Sequence, residues 1–64
     1  NTHICPGVVI GGGVTIRDTS FIGAGATIIQ GVKIGNNAIV GAGAVVINNV
    51  PEDVTVKGVP AKIK

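Results

Sequence analysis

Aromatic side chains are almost missing from this sequence: Phe21 stands alone, and tryptophan, tyrosine and methionine are absent. A core in which rings supply much of the buried area is therefore excluded. Cys5 is the single cysteine and His3 the single histidine, which excludes an intrachain disulfide framework and leaves no cysteine and histidine cluster to hold a structural metal. No metal is expected. Charge is scarce as well, with a net charge of +2, and no basic stripe has aromatic residues interleaved for stacking on bases. Nucleic acid is not an expected partner. The stretch from Ile34 to Pro51 is uncharged, yet Asn36, Asn37, Asn48 and Asn49 recur within it, so no membrane span is expected. The sequence opens at Asn1 without the basic and apolar segments of a secretory signal, which favours a cytoplasmic protein.

What the chain does have is aliphatic residues and glycine, the latter at eleven of 64 positions. The glycines follow no Gly-X-Y triplet, and the aliphatic content is too high for a disordered linker. A chain this short sits near the lower limit at which burial alone offsets chain entropy. Partner subunits or further chain are expected to add to its stability.

A period of six runs through the sequence. From Ile4, every sixth residue is Ile4, Ile10, Ile16, Ile22, Ile28, Ile34, Val40 and Val46. Four places after each come Val8, Val14, Ser20, Ala26, Val32, Ala38, Ala44 and Val50, all small or β-branched. Three places after each lie Gly7, Gly13, Thr19, Gly25, Gly31, Asn37, Gly43 and Asn49. Apart from Thr19, these are the two residue types that best tolerate positive φ.

Six does not match a helix, whose apolar stripe recurs at 3.6, but it is a multiple of the strand period of two. The aliphatic and small columns are an even number of residues apart, so both face inward from one short strand. A short strand and a left-handed corner, repeated three times, close a triangular coil. The expected fold is therefore all-β, a parallel β-helix with three sides and about 18 residues per coil, stacked at the roughly 4.8 Å strand spacing. Ile4, Ile22 and Val40 are expected to stack, as are Ile10, Ile28 and Val46, and Ile16 with Ile34. Asn1, Thr2 and His3 fit the last three places of a preceding hexad, so the natural polypeptide is expected to extend upstream. The repeats are expected to fill residues 1–51 and to end at Val50-Pro51-Glu52-Asp53, where proline removes a ladder donor. Residues 52–64 are then a last strand, Val54-Thr55-Val56-Lys57, and an irregular tail.

Hexads such as Ile22-Gly23-Ala24-Gly25-Ala26-Thr27, Ile34-Gly35-Asn36-Asn37-Ala38-Ile39 and Val40-Gly41-Ala42-Gly43-Ala44-Val45 resemble the hexapeptide-repeat acyltransferases. That resemblance covers the whole chain and implies a left-handed coil, an exception to the usual crossover hand. The closing Gly58-Val59-Pro60-Ala61-Lys62 resembles the family's Gly-Asn-Pro-Ala-Lys/Arg ending, with Val59 in place of asparagine. His3-Ile4-Cys5-Pro6-Gly7 followed by Gly11-Gly12-Gly13 is most similar to the branch that acetylates nucleotide-linked amino sugars and sialic acids. The resemblance implies acetyl-CoA as the acyl donor, a sugar or nucleotide-sugar acceptor and a homotrimer with CoA in the clefts between subunits. It also implies a catalytic histidine half a coil before His3, upstream of Asn1.

Acyl transfer from a thioester needs a base, a donor to the carbonyl oxygen and a groove for CoA. His3 carries the side-chain type suited to proton movement near neutrality and sits beside a corner; it is a candidate for the acetyl end or simply a solvent-facing residue. Gly12, with glycine on either side, lets a backbone N–H approach a carbonyl, or merely eases a tight turn. Pro6, Ala24 and Ala42 share one corner column, and the resemblance implies acyl-CoA contacts at Ala24 and Ala42. Lys57 and Lys62 come where the family's cofactor phosphates lie, although they are as readily ordinary solvated lysines. Cys5 has no adjacent base and reads as a small apolar residue. A non-catalytic β-helix serving as an oligomerisation module of another enzyme, such as a nucleotidyltransferase, is the rival class. An antifreeze-type helix would need ranks of threonine on one face, and a γ-type carbonic anhydrase would need three histidines around each zinc.

Overall fold

The computed structural model describes residues 2–63, and the corner role expected of Asn1 lies outside them. Ten strands follow one another: β1 (His3–Ile4), β2 (Val9–Ile10), β3 (Thr15–Ile16), β4 (Phe21–Ile22), β5 (Thr27–Ile28), β6 (Lys33–Ile34), β7 (Ile39–Val40), β8 (Val45–Val46), β9 (Thr55–Lys57) and β10 (Lys62–Ile63). None of the described residues is helical. From β1 to β9, consecutive strands belong to different sides of a three-sided coil. The first side stacks β1, β4, β7, β9 and β10, the second β2, β5 and β8, and the third β3 and β6.

Registers are parallel and offset by eighteen residues, with Ile4 opposite Ile22, Ile10 opposite Ile28 and Ile16 opposite Ile34. Val40 and Val46 continue the first two columns. The expected stacking is what the structure shows. Backbone N–H groups of one coil donate to carbonyls of the next, as from Cys5 to Ile22 at 3.0 Å and from Gly23 to Val40 at 2.8 Å, so each side satisfies its own polar backbone. Ile22, Ile28, Ile34, Val40 and Val46 fill the interior together with Ala26, Ala38 and Ala44. The small column matters because three sides converge on one axis, and two bulky columns per side would not fit. Among the described residues Ser20 is the one polar member of the core; its hydroxyl lies 2.8 Å from the carbonyls of both Arg17 and Gly35, which removes the penalty of burying it.

Three edges join the sides. Residues 5–7, 23–25 and 41–43 form the first edge, residues 11–13 and 29–31 the second, and residues 17–19, 35–37 and 51–53 the third. Gly7, Gly25 and Gly43 turn the first edge at φ 79°, 71° and 72°, while Thr19, Asn37 and Asp53 turn the third, each at φ 58°.

Two expectations need correction at the C-terminal end. Val50 does not continue the small column; it bridges Ile34, sixteen residues back, in the aliphatic column. β9 likewise pairs with β7 at an offset of sixteen, Val40 opposite Val56. The last coil is thus two residues short on the third side. Asn49 covers the deficit, because its Oδ1 accepts from the Lys33 N–H at 2.9 Å where a full coil would present a backbone carbonyl. The coil therefore passes through Pro51-Glu52-Asp53 as an ordinary corner: Asp53 N–H donates to the Asn36 carbonyl at 2.9 Å, as Asn37 N–H does to Asp18 at 3.1 Å. Proline and acidic residues are tolerated there because corner side chains point outward.

The tail is also more regular than expected. β10 returns antiparallel to β9, with Lys62 opposite Lys57 and Ile63 opposite Val56. Gly58 C=O accepts from Val45 N–H at 3.0 Å, and Ala61 N–H donates to Val45 C=O at 2.8 Å. The tail thereby occupies backbone groups at the last rung of the second side, an edge otherwise open to pairing.

Candidate functional site

His3 projects outward from β1 at the start of the first side. Its imidazole stacks on the ring of Phe21, one rung along, with centroids 5.2 Å apart and planes 3° from parallel. The contact follows from register: His3 and Phe21 are partners in adjacent parallel strands and lie eighteen residues apart. Ile39 continues the same outward column in β7.

From that side the chain turns onto the first edge, where Ala24 and Ala42 stand. The edge is knitted along the axis by Gly25 N–H to Pro6 C=O at 3.1 Å and Gly43 N–H to Ala24 C=O at 2.9 Å. Around the two alanines lie only glycines, and a Cβ added at Gly25 or Gly43 would meet nothing within 4 Å. Beyond Cys5 and Pro6 in the first coil, the strip carries no side chain longer than a methyl. At Gly23 a Cβ would lie 2.5 Å from the Ala42 backbone nitrogen, so glycine there is what lets the coils close to ladder distance.

Lys57 continues this strip one rung beyond Gly41, since a Cβ at Gly41 would sit 3.1 Å from the Lys57 Cβ. Lys62 is its cross-strand partner. Five of the six candidate residues, His3, Ala24, Ala42, Lys57 and Lys62, therefore fall on the first side and its following edge. His3 is at one end and the lysine pair at the other, about three strand spacings or ~14 Å away. Gly12 is apart from them on the second edge, with open space around it.

The strip runs along a convex corner of the prism, so one chain alone gives it no walls. Two recesses of about 450 and 300 Å³ lie off the strip, the second touching it at Lys62. The first, on the third side, is lined by Arg17, Lys33, Asn36, Asn49 and Glu52 among others, and it exists because the shortened last coil steps inward beside Lys33. The second opens at the C-terminal end of the prism among Val46, Val50, Val56 and Lys62. Among the described residues no group of three or more metal-ligating side chains occurs, and no helix is long and apolar enough to cross a membrane.

Sequence reasoning missed the partnership of Phe21 with His3. The signal was available, since the coil length alone puts them side by side. The pairing of Lys57 with Lys62 depends on the hairpin, which no repeat announces.

A three-sided parallel coil with two inward columns per hexad and a small-residue edge defines the hexapeptide-repeat class. The chain belongs to the family described as bacterial transferase hexapeptide (six repeats), whose model matches residues 13–48. Among solved structures it is similar to a histidine-to-alanine variant of GDP-perosamine N-acetyl transferase from Caulobacter crescentus in complex with CoA and GDP-perosamine. That likeness has 48% identity and a TM-score of 0.95, over 97% of this chain and 30% of that one. It is similar also to serine acetyltransferase from Brucella abortus strain S19, at 42% identity and a TM-score of 0.96, over 100% of this chain and 29% of that one. A serine acetyltransferase in complex with CoA is 42% identical with a TM-score of 0.94, over 98% of this chain and 28% of that one. No curated protein matches the chain at a significant level. The chain thus spans under a third of the length of these solved structures.

Proposed function

We propose that this chain is the cofactor-binding β-helix of an acetyl-CoA-dependent acetyltransferase acting on an amino or hydroxyl group of a sugar or nucleotide sugar. The observation that carries this is the single strip joining His3, Ala24, Ala42, Lys57 and Lys62. The likeness to an N-acetyltransferase bound to CoA and GDP-perosamine supports it, and makes a nucleotide-linked amino sugar the first acceptor to try. A protein of this kind works in the cytoplasm, where acetyl-CoA and nucleotide sugars are made.

In this scheme the pantetheine arm lies along the alanine and glycine strip, parallel to the coil axis. Methyl groups and bare backbone let it approach closely. Lys57 and Lys62 meet the phosphates as point charges. At the other end, an imidazole N–H of His3 donates to the thioester carbonyl oxygen. The acceptor's lone pair attacks the carbonyl carbon, and the negative charge that develops on oxygen is stabilised by that donor. Collapse of the tetrahedral intermediate expels the CoA thiolate, and the acceptor's proton passes to a base and on to the sulfur. The base is a histidine half a coil before His3, outside this chain.

Because the strip is convex, its second wall comes from a neighbouring subunit, which fits a homotrimer with three clefts. Gly12, on the second edge, then serves the same cofactor across the subunit boundary, its N–H near the carbonyl. The test is to mix the full-length protein with acetyl-CoA and a panel of amino-sugar nucleotides and follow release of free thiol. Acceptor-dependent thiol release, lowered at least tenfold in His3→Ala, is expected. No release with any sugar acceptor would overturn the sugar reading, and no release with serine either would leave the coil as a scaffold or oligomerisation module.

A further inference from the structure

We propose that Phe21 is a positioning residue that orients the His3 imidazole for the acetyl end of the donor. This rests on the role given to His3 above and adds a residue to it. Phe21 is the chain's only aromatic residue, and it stands one coil after the only histidine. Corresponding outward places on the other sides carry Val9, Thr15, Thr27, Lys33 and Val45. Core packing does not explain a ring here, because Phe21 is 42% exposed and lies outside the buried interior.

The geometry defines what the ring does. His3 and Phe21 are partners in adjacent strands, and their rings stack with centroids 5.2 Å apart and planes 3° from parallel. One face of the imidazole is thereby covered by the phenyl ring, and both ring nitrogens stay in a plane parallel to it. The stack thus fixes the plane in which an imidazole N–H can be offered to a donor molecule. An exposed histidine without such a neighbour would sample several χ2 orientations. Offset and parallel ring contacts of this kind are favourable beyond the area they bury, enough to select one orientation. Loss of the contact then acts on the step where oxygen gains charge, and lowers kcat more than it raises KM.

The test uses the full-length protein with Phe21→Leu, which keeps the apolar bulk, and Phe21→Tyr, which keeps the ring. Proton resonances of the His3 imidazole report the stack without any substrate: they are expected upfield in the unsubstituted protein and in Phe21→Tyr, and at ordinary positions in Phe21→Leu. In acetyl transfer, Phe21→Leu is expected to lower kcat by about 3- to 10-fold with the acetyl-CoA KM within about twofold. Phe21→Tyr should restore kcat. Ordinary His3 resonances in the unsubstituted protein, or an unchanged kcat in Phe21→Leu while His3→Ala lowers it, would overturn the positioning role and leave the functional reading standing. An unchanged kcat in His3→Ala would instead remove the role of His3 itself.

Discussion

The first and third edges of the prism solve one problem in two ways. Both must turn the chain through a left-handed residue once per coil. The first edge uses Gly7, Gly25 and Gly43; the third uses Thr19, Asn37 and Asp53 at a common φ of 58°. Glycine enters that region without steric penalty, whereas a side chain there costs on the order of 1 kcal/mol, less for asparagine and aspartate, and is least expected of a β-branched threonine. The third edge offsets some of that with contacts along the axis: Thr19 Oγ1 donates to Asn37 Oδ1, one rung on. What the comparison teaches is that the fold asks only for the turn, while the chemistry beside the turn decides which residue makes it. The first edge is bare at Ala24 and Ala42, where the proposed function lays the cofactor arm, and the third, carrying Asp18, Asn36 and Glu52, is decorated.

Substitutions that separate crowding from backbone strain sharpen the contrast. The largest effect is expected from Gly23→Ala, whose added methyl would fall 2.5 Å from the Ala42 nitrogen. Backbone cannot swing aside as a flexible side chain can, so the two coils must part, and a loss of about 3 kcal/mol by denaturant unfolding is the expected result. Gly25→Ala, two residues on, meets open space but sits at φ 71°. Strain alone remains, and about 1 kcal/mol should be lost. Equal losses at the two positions would erase the distinction. The smallest effect is at the decorated edge: Thr19→Gly relieves the left-handed strain but gives up the contact with Asn37, for a net gain of about 0.5 kcal/mol in the same measurement. A loss there exceeding the Gly25→Ala loss would mean that the side-chain ladder, and not the backbone, holds the third edge.

Much of this architecture was legible from residue spacing. The unbroken run from Ile4 to Val46 establishes the strand period, the inward columns and the eighteen-residue coil, because an aliphatic side chain every six places has no other consistent packing. The slip at the last coil was not legible. Valine suits both the small and the aliphatic column, so Val50 fits the old register as comfortably as the new one, and the change shows only in the pairing of Val50 with Ile34 and of β9 with β7, and in Asn49 reaching the Lys33 N–H. Pro51-Glu52-Asp53 looks like a terminator for the same reason: a proline and two acids are disruptive inside a strand and harmless on an outward corner. At the candidate site, the strip of Ala24 and Ala42 beside His3 follows from the period. The convexity of that strip and the Lys57 to Lys62 pairing required coordinates. Gly12 stood out for its neighbours Gly11 and Gly13, and the period alone puts it on a different edge from Ala24 and Ala42.

The most direct test of the central claim is a crystal structure of the full-length protein grown with CoA. Electron density for the pantetheine arm is expected along the first edge, against Ala24 and Ala42, with the thiol toward His3 and the phosphates toward Lys57 and Lys62. CoA lodged instead in the third-side recess beside Arg17 and Lys33, or no bound CoA at concentrations that saturate related acetyltransferases, would contradict it.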